Sequence, residues 1–173
     1  MIDEKEYEYI RLAAFVDGEG TISIFKAGKG YAQHLVVTNC DIRLIAWLVD
    51  NFGGKFPKPI KHENENHKDV YMWRLHGMNS YKLIKKIRQH LLLKREQANL
   101  AIYLYEQVSK WHYGSNPTPK YKQVLAEELY QKAKILNKRG KQLDEEDNNK
   151  IEIKIIIDPK NKTWEDYEVH EWQ

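Results

Sequence analysis

Two carboxylates set two residues apart, Asp17 and Glu19, close an apolar run that reads Leu12-Ala13-Ala14-Phe15-Val16-Asp17-Gly18-Glu19-Gly20. Ile10, Ala13, Ala14 and Val16 make a narrow, greasy helix. Ala14 and Gly18 are four apart and share a face one turn apart, so a second helix could approach there with almost no side chain between. Gly18 also suits a helix end. The spacing predicts that Glu19 sits just past the C-terminus of the helix, where the macrodipole and the free carbonyls favour a cation. A carboxylate beside a backbone carbonyl is a half-site for a hard, oxygen-loving ion such as Mg²⁺. The same nine residues would equally make a buried helix with a glycine cap and two solvated acids.

The elements around this run decide what it can do. The chain has 173 residues, within the range of one domain with a real core. One cysteine, Cys40, excludes an internal disulfide framework and agrees with a reducing compartment. No stretch approaches the roughly 20 apolar residues needed to span a bilayer, and the first residues are acidic, unlike a signal peptide. An intracellular protein with no membrane partner is expected. The net charge of +3 is unevenly spread. From Asp144 onward ten acids face four bases, a balance of −6, which leaves +9 on residues 1–143. A basic body is what a nucleic-acid binder needs, and it is also what a merely solvated face looks like.

Hydrophobic periodicity predicts a helix over 7–17, strands over 21–27 and 33–39 joined by a turn at Lys29-Gly30, and a helix capped by Asp41 and ended by Gly53-Gly54. Lys55 to Ile60, interrupted by Pro57 and Pro59, and Val70 to Leu75 read as a second hairpin whose first strand is an edge or irregular. Ser80 can start the next helix, and another runs from about Arg95 to Lys110. The order helix, two strands, helix, two strands, helix is a pseudo-repeated α+β unit. Neither a Gly-rich phosphate loop nor a zinc spacing interrupts it.

With the motif and this order together, the chain resembles the LAGLIDADG homing endonucleases, and among them the single-motif homodimeric group. Three further positions carry the likeness. Asn39, at the end of the second strand, falls where that group often has a polar Gln or Asn near the active-site water. Arg43, four residues on, matches its basic residue. Lys94 precedes the Gln97-Ala98-Asn99-Leu100 run as a Lys does in the group, about 75 residues from the motif. The likeness covers roughly residues 7–110. Ala14 stands where the family usually has Gly, which adds a methyl at the helix contact, and Glu19 stands where Asp is commoner.

The resemblance implies an αββαββα fold with a curved, saddle-like antiparallel sheet on DNA. It implies pairing of two chains through Ala14, Asp17 and Gly18, and hydrolysis of both strands of a long pseudo-palindromic site. Glu19 and the Gly18 carbonyl would hold Mg²⁺, with Mn²⁺ open as a substitute, each chain giving one Glu19 to a shared cluster. Asn39 would hold the nucleophilic water, and Arg43 and Lys94 would stabilise phosphate charge. Asp17 is expected at the helix–helix interface rather than on metal.

Strand rise of about 3.3 Å per residue is close to the rise per base pair of DNA, so four strands could read about eight to ten pairs and a dimer about twenty. In the family register the DNA-facing set is Ser23, Phe25, His34, Val36 and Thr38 on the first hairpin, and Lys58, Met72 and Arg74 on the second. Phe25, Val36 and Met72 would serve equally as core. Residues 111–121 read as a loop and 123–137 as a helix, after which Lys138, Arg139 and Lys141 suit phosphate contacts. The domain is expected to span 1–142. Residues 143–173 form an acidic extension whose alternating Ile151, Ile153, Ile155 and Ile157 predict a C-terminal β-hairpin packed on the same domain.

Alternatives on the same scaffold are a maturase that binds its intron RNA and a DNA-binding regulator that does not cleave. Plastid, mitochondrion and bacterial cytoplasm all remain open as compartments.

Overall fold

The computed structural model describes residues 3–28, 30–61, 68–108 and 119–138. Helix α1 (Glu4–Glu19) leads straight into strand β1 (Gly20–Ala27), which returns as β2 (Gly30–Asn39). Helix α2 (Ile42–Phe52), strand β3 (Tyr71–His76) and helix α3 (Gly77–Ile87) follow. A single 3₁₀ turn at Arg88–His90 then leads to α4 (Arg95–Gln107), and α5 (Lys120–Leu136) is the last described helix.

The strands form an antiparallel sheet in the order β1-β2-β3. The alternation read from the sequence is the alternation observed: Ile22, Ile24, Leu35, Val37, Trp73 and Leu75 turn to the helices and are buried. All of these but Ile24 cluster with Leu12, Ala13 and Val16 of α1, Ile45 and Leu48 of α2, and Ile84 and Ile87 of α3. The opposite face of the sheet carries no described helix.

Several expectations need correction. Among the described residues the sheet has three strands, not four. Lys55 to Ile60 makes only an isolated bridge, Ile60 to Val70, because Pro57 and Pro59 have no N–H to give a ladder. The chain reversal after β1 begins at Gly28, whose φ of +56° needs glycine, and Gly30 already pairs with Ala27. Helix α3 starts at Gly77, three residues ahead of Ser80, which is buried inside it with its hydroxyl donating to the Gly77 carbonyl at 2.9 Å. Helix α5 starts at Lys120, directly after Pro119, within the stretch read as loop. The C-terminal hairpin at 151–169 and the rest of the acidic extension lie outside the described residues.

The Asp41 cap forms as expected, its carboxylate accepting from the Arg43 N–H at 2.9 Å. Gly53 and Gly54 end α2 with φ of +75° and +97°. The Gly53 carbonyl accepts from the indole of fully buried Trp73 at 2.8 Å. A Cβ on Gly54 would sit 3.1 Å from that indole nitrogen, so the second glycine is fixed both by its backbone angle and by the ring packed on it.

Candidate functional site

The site is built at the end of α1. That helix ends two residues beyond the expected 7–17 and begins three earlier, so Glu19 is its last residue rather than one just past it. The Gly20 N–H takes the Phe15 and Val16 carbonyls, and a Cβ on Gly20 would lie 2.7 Å from the Val16 Cα. Glycine is therefore what lets the helix turn directly into β1. Gly18 is the reverse case: a Cβ there would meet nothing within 4 Å. With Ala14, Arg11 and Tyr7 it forms an exposed stripe along one side of α1, at spacings of four, three and four residues.

The two acids of the motif have separate environments. The Asp17 carboxylate is turned into its own chain, accepting backbone N–H groups from Leu92 at 2.7 Å, Leu93 at 3.2 Å and Lys94 at 3.0 Å. It thus caps the N-terminus of α4 from a point far away in sequence, a role that the expected place at a helix–helix interface did not include. Lys94, which is the N-cap residue of α4, donates its ammonium to the Asp17 carbonyl at 2.5 Å. Glu19 is exposed and, among the described residues, accepts no hydrogen bond and forms no ion pair. The carbonyl of Gly18 belongs to the terminal turn, where carbonyls lack an intrahelical donor.

This donor set fits a hard cation, since it offers oxygen ligands at the negative end of a helix. One chain is nevertheless short of ligands. Among the described residues no group of three or more His, Cys, Asp or Glu side chains is placed to hold a metal ion.

Gly20 pairs with Val37, so the end of α1 lies beside the end of β2 that carries Thr38 and Asn39. The Asn39 carbonyl oxygen accepts from the Asp41 N–H at 2.8 Å, which fixes the side chain in a turn. Arg43 is 88% exposed and grips Asp41, with Nη2 at 2.5 Å and Nε at 3.0 Å from its two oxygens. Those hydrogen bonds hold the Asp41 carboxyl down at about 2. Asp41 was legible as a cap but not as the partner that orients Arg43.

The cross-strand register puts Ser23 opposite His34, Phe25 opposite Ala32, Val36 opposite Arg74, and Thr38 opposite Met72, all on the outer face. The strand residues of that set therefore share one face of the sheet, with Phe25 and Met72 half-buried on it. Val36 is only 8% exposed, shielded by its neighbours across the strands. Lys58 and Lys138 are exposed, while Arg139 and Lys141 lie outside the described residues. Three members of the face were missed: Thr21, Ala32 and His76, the last opposite His34. For His76, a polar, alternating position two residues after Arg74 was the available signal.

The outer positions of the three strands (Thr21, Ser23, Phe25, Ala32, His34, Val36, Thr38, Met72, Arg74 and His76) include no acid.

No family model matches the sequence, and no curated protein matches it. Solved structures do. The homing endonuclease I-CvuI, crystallised in complex with the I-CreI target in the presence of Mg, aligns at 18% identity and a TM-score of 0.60, over 85% of this chain and 93% of that one. The archaeal intron-encoded homing endonuclease I-Vdi141I, complexed with DNA, aligns at 10% identity and 0.57, over 86% and 94%. The LAGLIDADG meganuclease I-AabMI, bound to uncleaved DNA, aligns at 16% identity and 0.53, over 70% of this chain but 43% of its own.

Proposed function

We propose that this chain, which has the fold of the LAGLIDADG homing endonucleases and the extent of their single-unit chains, is a site-specific double-strand DNA endonuclease that works as a homodimer. The observation that carries this reading is Glu19. It is an exposed, unpaired carboxylate at the end of a helix whose small-residue stripe is open, at the margin of a sheet face without acids.

A two-fold axis along the stripe of Ala14 and Gly18 would bring a second Glu19 and a second Gly18 carbonyl to the first. Those four groups would hold divalent metal, Mg²⁺ or Mn²⁺. Bound there, the metal supplies phosphate polarisation, a more acidic attacking water and stabilisation of the leaving 3′ oxygen.

The chain's own residues do the positioning. Asp17 fixes the start of α4 and so holds the Lys94 ammonium against the end of α1, where it offsets phosphate charge. Asn39 presents its amide N–H₂ from a fixed turn to orient the water. Arg43 adds a second cation, delivered by Asp41. The outer sheet face, with Arg74 exposed on it, reads the half-site.

The test is cleavage of a random duplex library with Mg²⁺, sequencing the ends, beside Glu19→Gln. A recovered pseudo-palindrome cut only by the wild type supports the reading. Binding of DNA or structured RNA without cutting would move it to a regulator or a maturase.

A further inference from the structure

At the centre of the outer face three rings stand together. Phe25 stacks on His34 with centroids 4.8 Å apart and planes 23° from parallel. His76 stands edge-on to both, 5.9 Å from Phe25 and 6.0 Å from His34. The His34 Nε2 is 2.7 Å from the Ser23 hydroxyl, so one ring nitrogen is engaged within the protein. Among the described residues no hydrogen bond is recorded for the second. Arg74 lies on the neighbouring strand, its guanidinium turned to the Met72 sulfur at 2.8 Å.

We propose that the Phe25–His34–His76 cluster is a proton-coupled contact with duplex DNA, in which the two histidines gain protons as phosphates or purine acceptors reach the face. This rests on the endonuclease reading above. The reasoning is electrostatic and geometric. Among the described residues the groups recorded against the two histidines are Ser23, Phe25, Arg74 and each other, and the described helices lie on the other side of the sheet. Burial, then Arg74, then His76 push the His34 imidazole down to about 4, and burial and Arg74 push His76 down as well. The free protein therefore presents neutral rings at neutral pH. Duplex DNA supplies the anions that the face lacks, and its phosphates would reverse the effect of Arg74. A protonated His34 donates from both nitrogens, one to Ser23 and one outward, and the stacked Phe25 ring offers a π face to the new charge. Acceptors such as guanine O6 and N7 suit that donor, and thymine O4 does so less fully.

The probe is a duplex recovered by the random-library selection. Calorimetry in two buffers of different ionisation heat at pH 6.5 counts the protons taken up on binding. Wild type should take up about one proton per protomer, and its Kd should tighten up to about tenfold per pH unit below neutrality. His34→Gln and His76→Gln should each reduce the count and flatten the slope. Because a variant could misfold, the His34 ring protons are also titrated by NMR in the wild type, where the midpoint should rise on adding DNA. A recovered duplex bound with no histidine-dependent uptake, or an unmoved midpoint, overturns this inference alone. Failure to recover any bound duplex at pH 5.5 or 7.5 overturns the endonuclease reading and this inference with it.

Discussion

Asp17 and Lys94 hold each other at both ends: the Asp17 carboxylate accepts the Lys94 backbone N–H at 3.0 Å, and the Lys94 ammonium donates to the Asp17 carbonyl at 2.5 Å. The helix that ends in Glu19 and the helix that starts after Lys94 are thereby locked together. An acid that looks like half of a catalytic pair is instead the clamp that places the other acid's neighbour.

Asp17→Ala should therefore act on stability as well as on activity. It leaves three backbone N–H groups at the start of α4 without their acceptor, a loss on the order of 1–2 kcal/mol for a capping side chain. Asp17→Asn, which keeps one carbonyl oxygen, should lose less. Urea unfolding of the three proteins checks the order; an unchanged midpoint in the alanine variant would contradict the clamp.

The two glycines of the motif should respond in opposite senses. Gly20→Ala drives a Cβ to 2.7 Å from backbone and should destabilise the folded chain by about 1–3 kcal/mol, as overpacking does. Gly18→Ala meets open space and gains helix propensity of up to about 1 kcal/mol, so the subunit should be no less stable. Its methyl would instead stand in the close approach of two α1 helices. Sedimentation should show a weaker dimer for Gly18→Ala at unchanged subunit stability.

Stability should fall on acidification through the range set by His34. Its folded-state value of about 4 lies below the ordinary 6.5, so between those values the unfolded chain binds the extra proton. The stabilising contribution is complete above about 6.5 and is lost as pH falls towards 4. His34→Gln should flatten that part of the curve of unfolding free energy against pH. A wild-type curve already flat from pH 7 to 4.5 would contradict the burial of His34 beside Arg74.

What the sequence could show and what it could not divide along one physical line. Period-two and period-3.6 patterns are local, so β1, β2, α2 and the start of α4 at Arg95 were legible, whereas the face shared by Ser23, His34 and Arg74 was read from the family register. The proline-broken strand was legible as irregular but not as a single bridge at Ile60. Long-range partners were not legible: nothing in Asp17 itself announces Leu92, Leu93 and Lys94 as its donors, and His76 joins His34 only through the β2–β3 register. The end of α1 was placed two residues short because Gly18 reads as a stop, whereas Gly20 is the glycine that the close packing on Val16 requires.

The central claim is that Glu19 holds the metal for cutting, and the direct measurement compares wild type with Glu19→Gln on the recovered duplex in Mg²⁺. The substitution removes a charge and little volume at an exposed position, so folding and DNA binding should be retained while cleavage is lost. Cleavage that persists in the purified Glu19→Gln protein at the wild-type site would contradict the assignment.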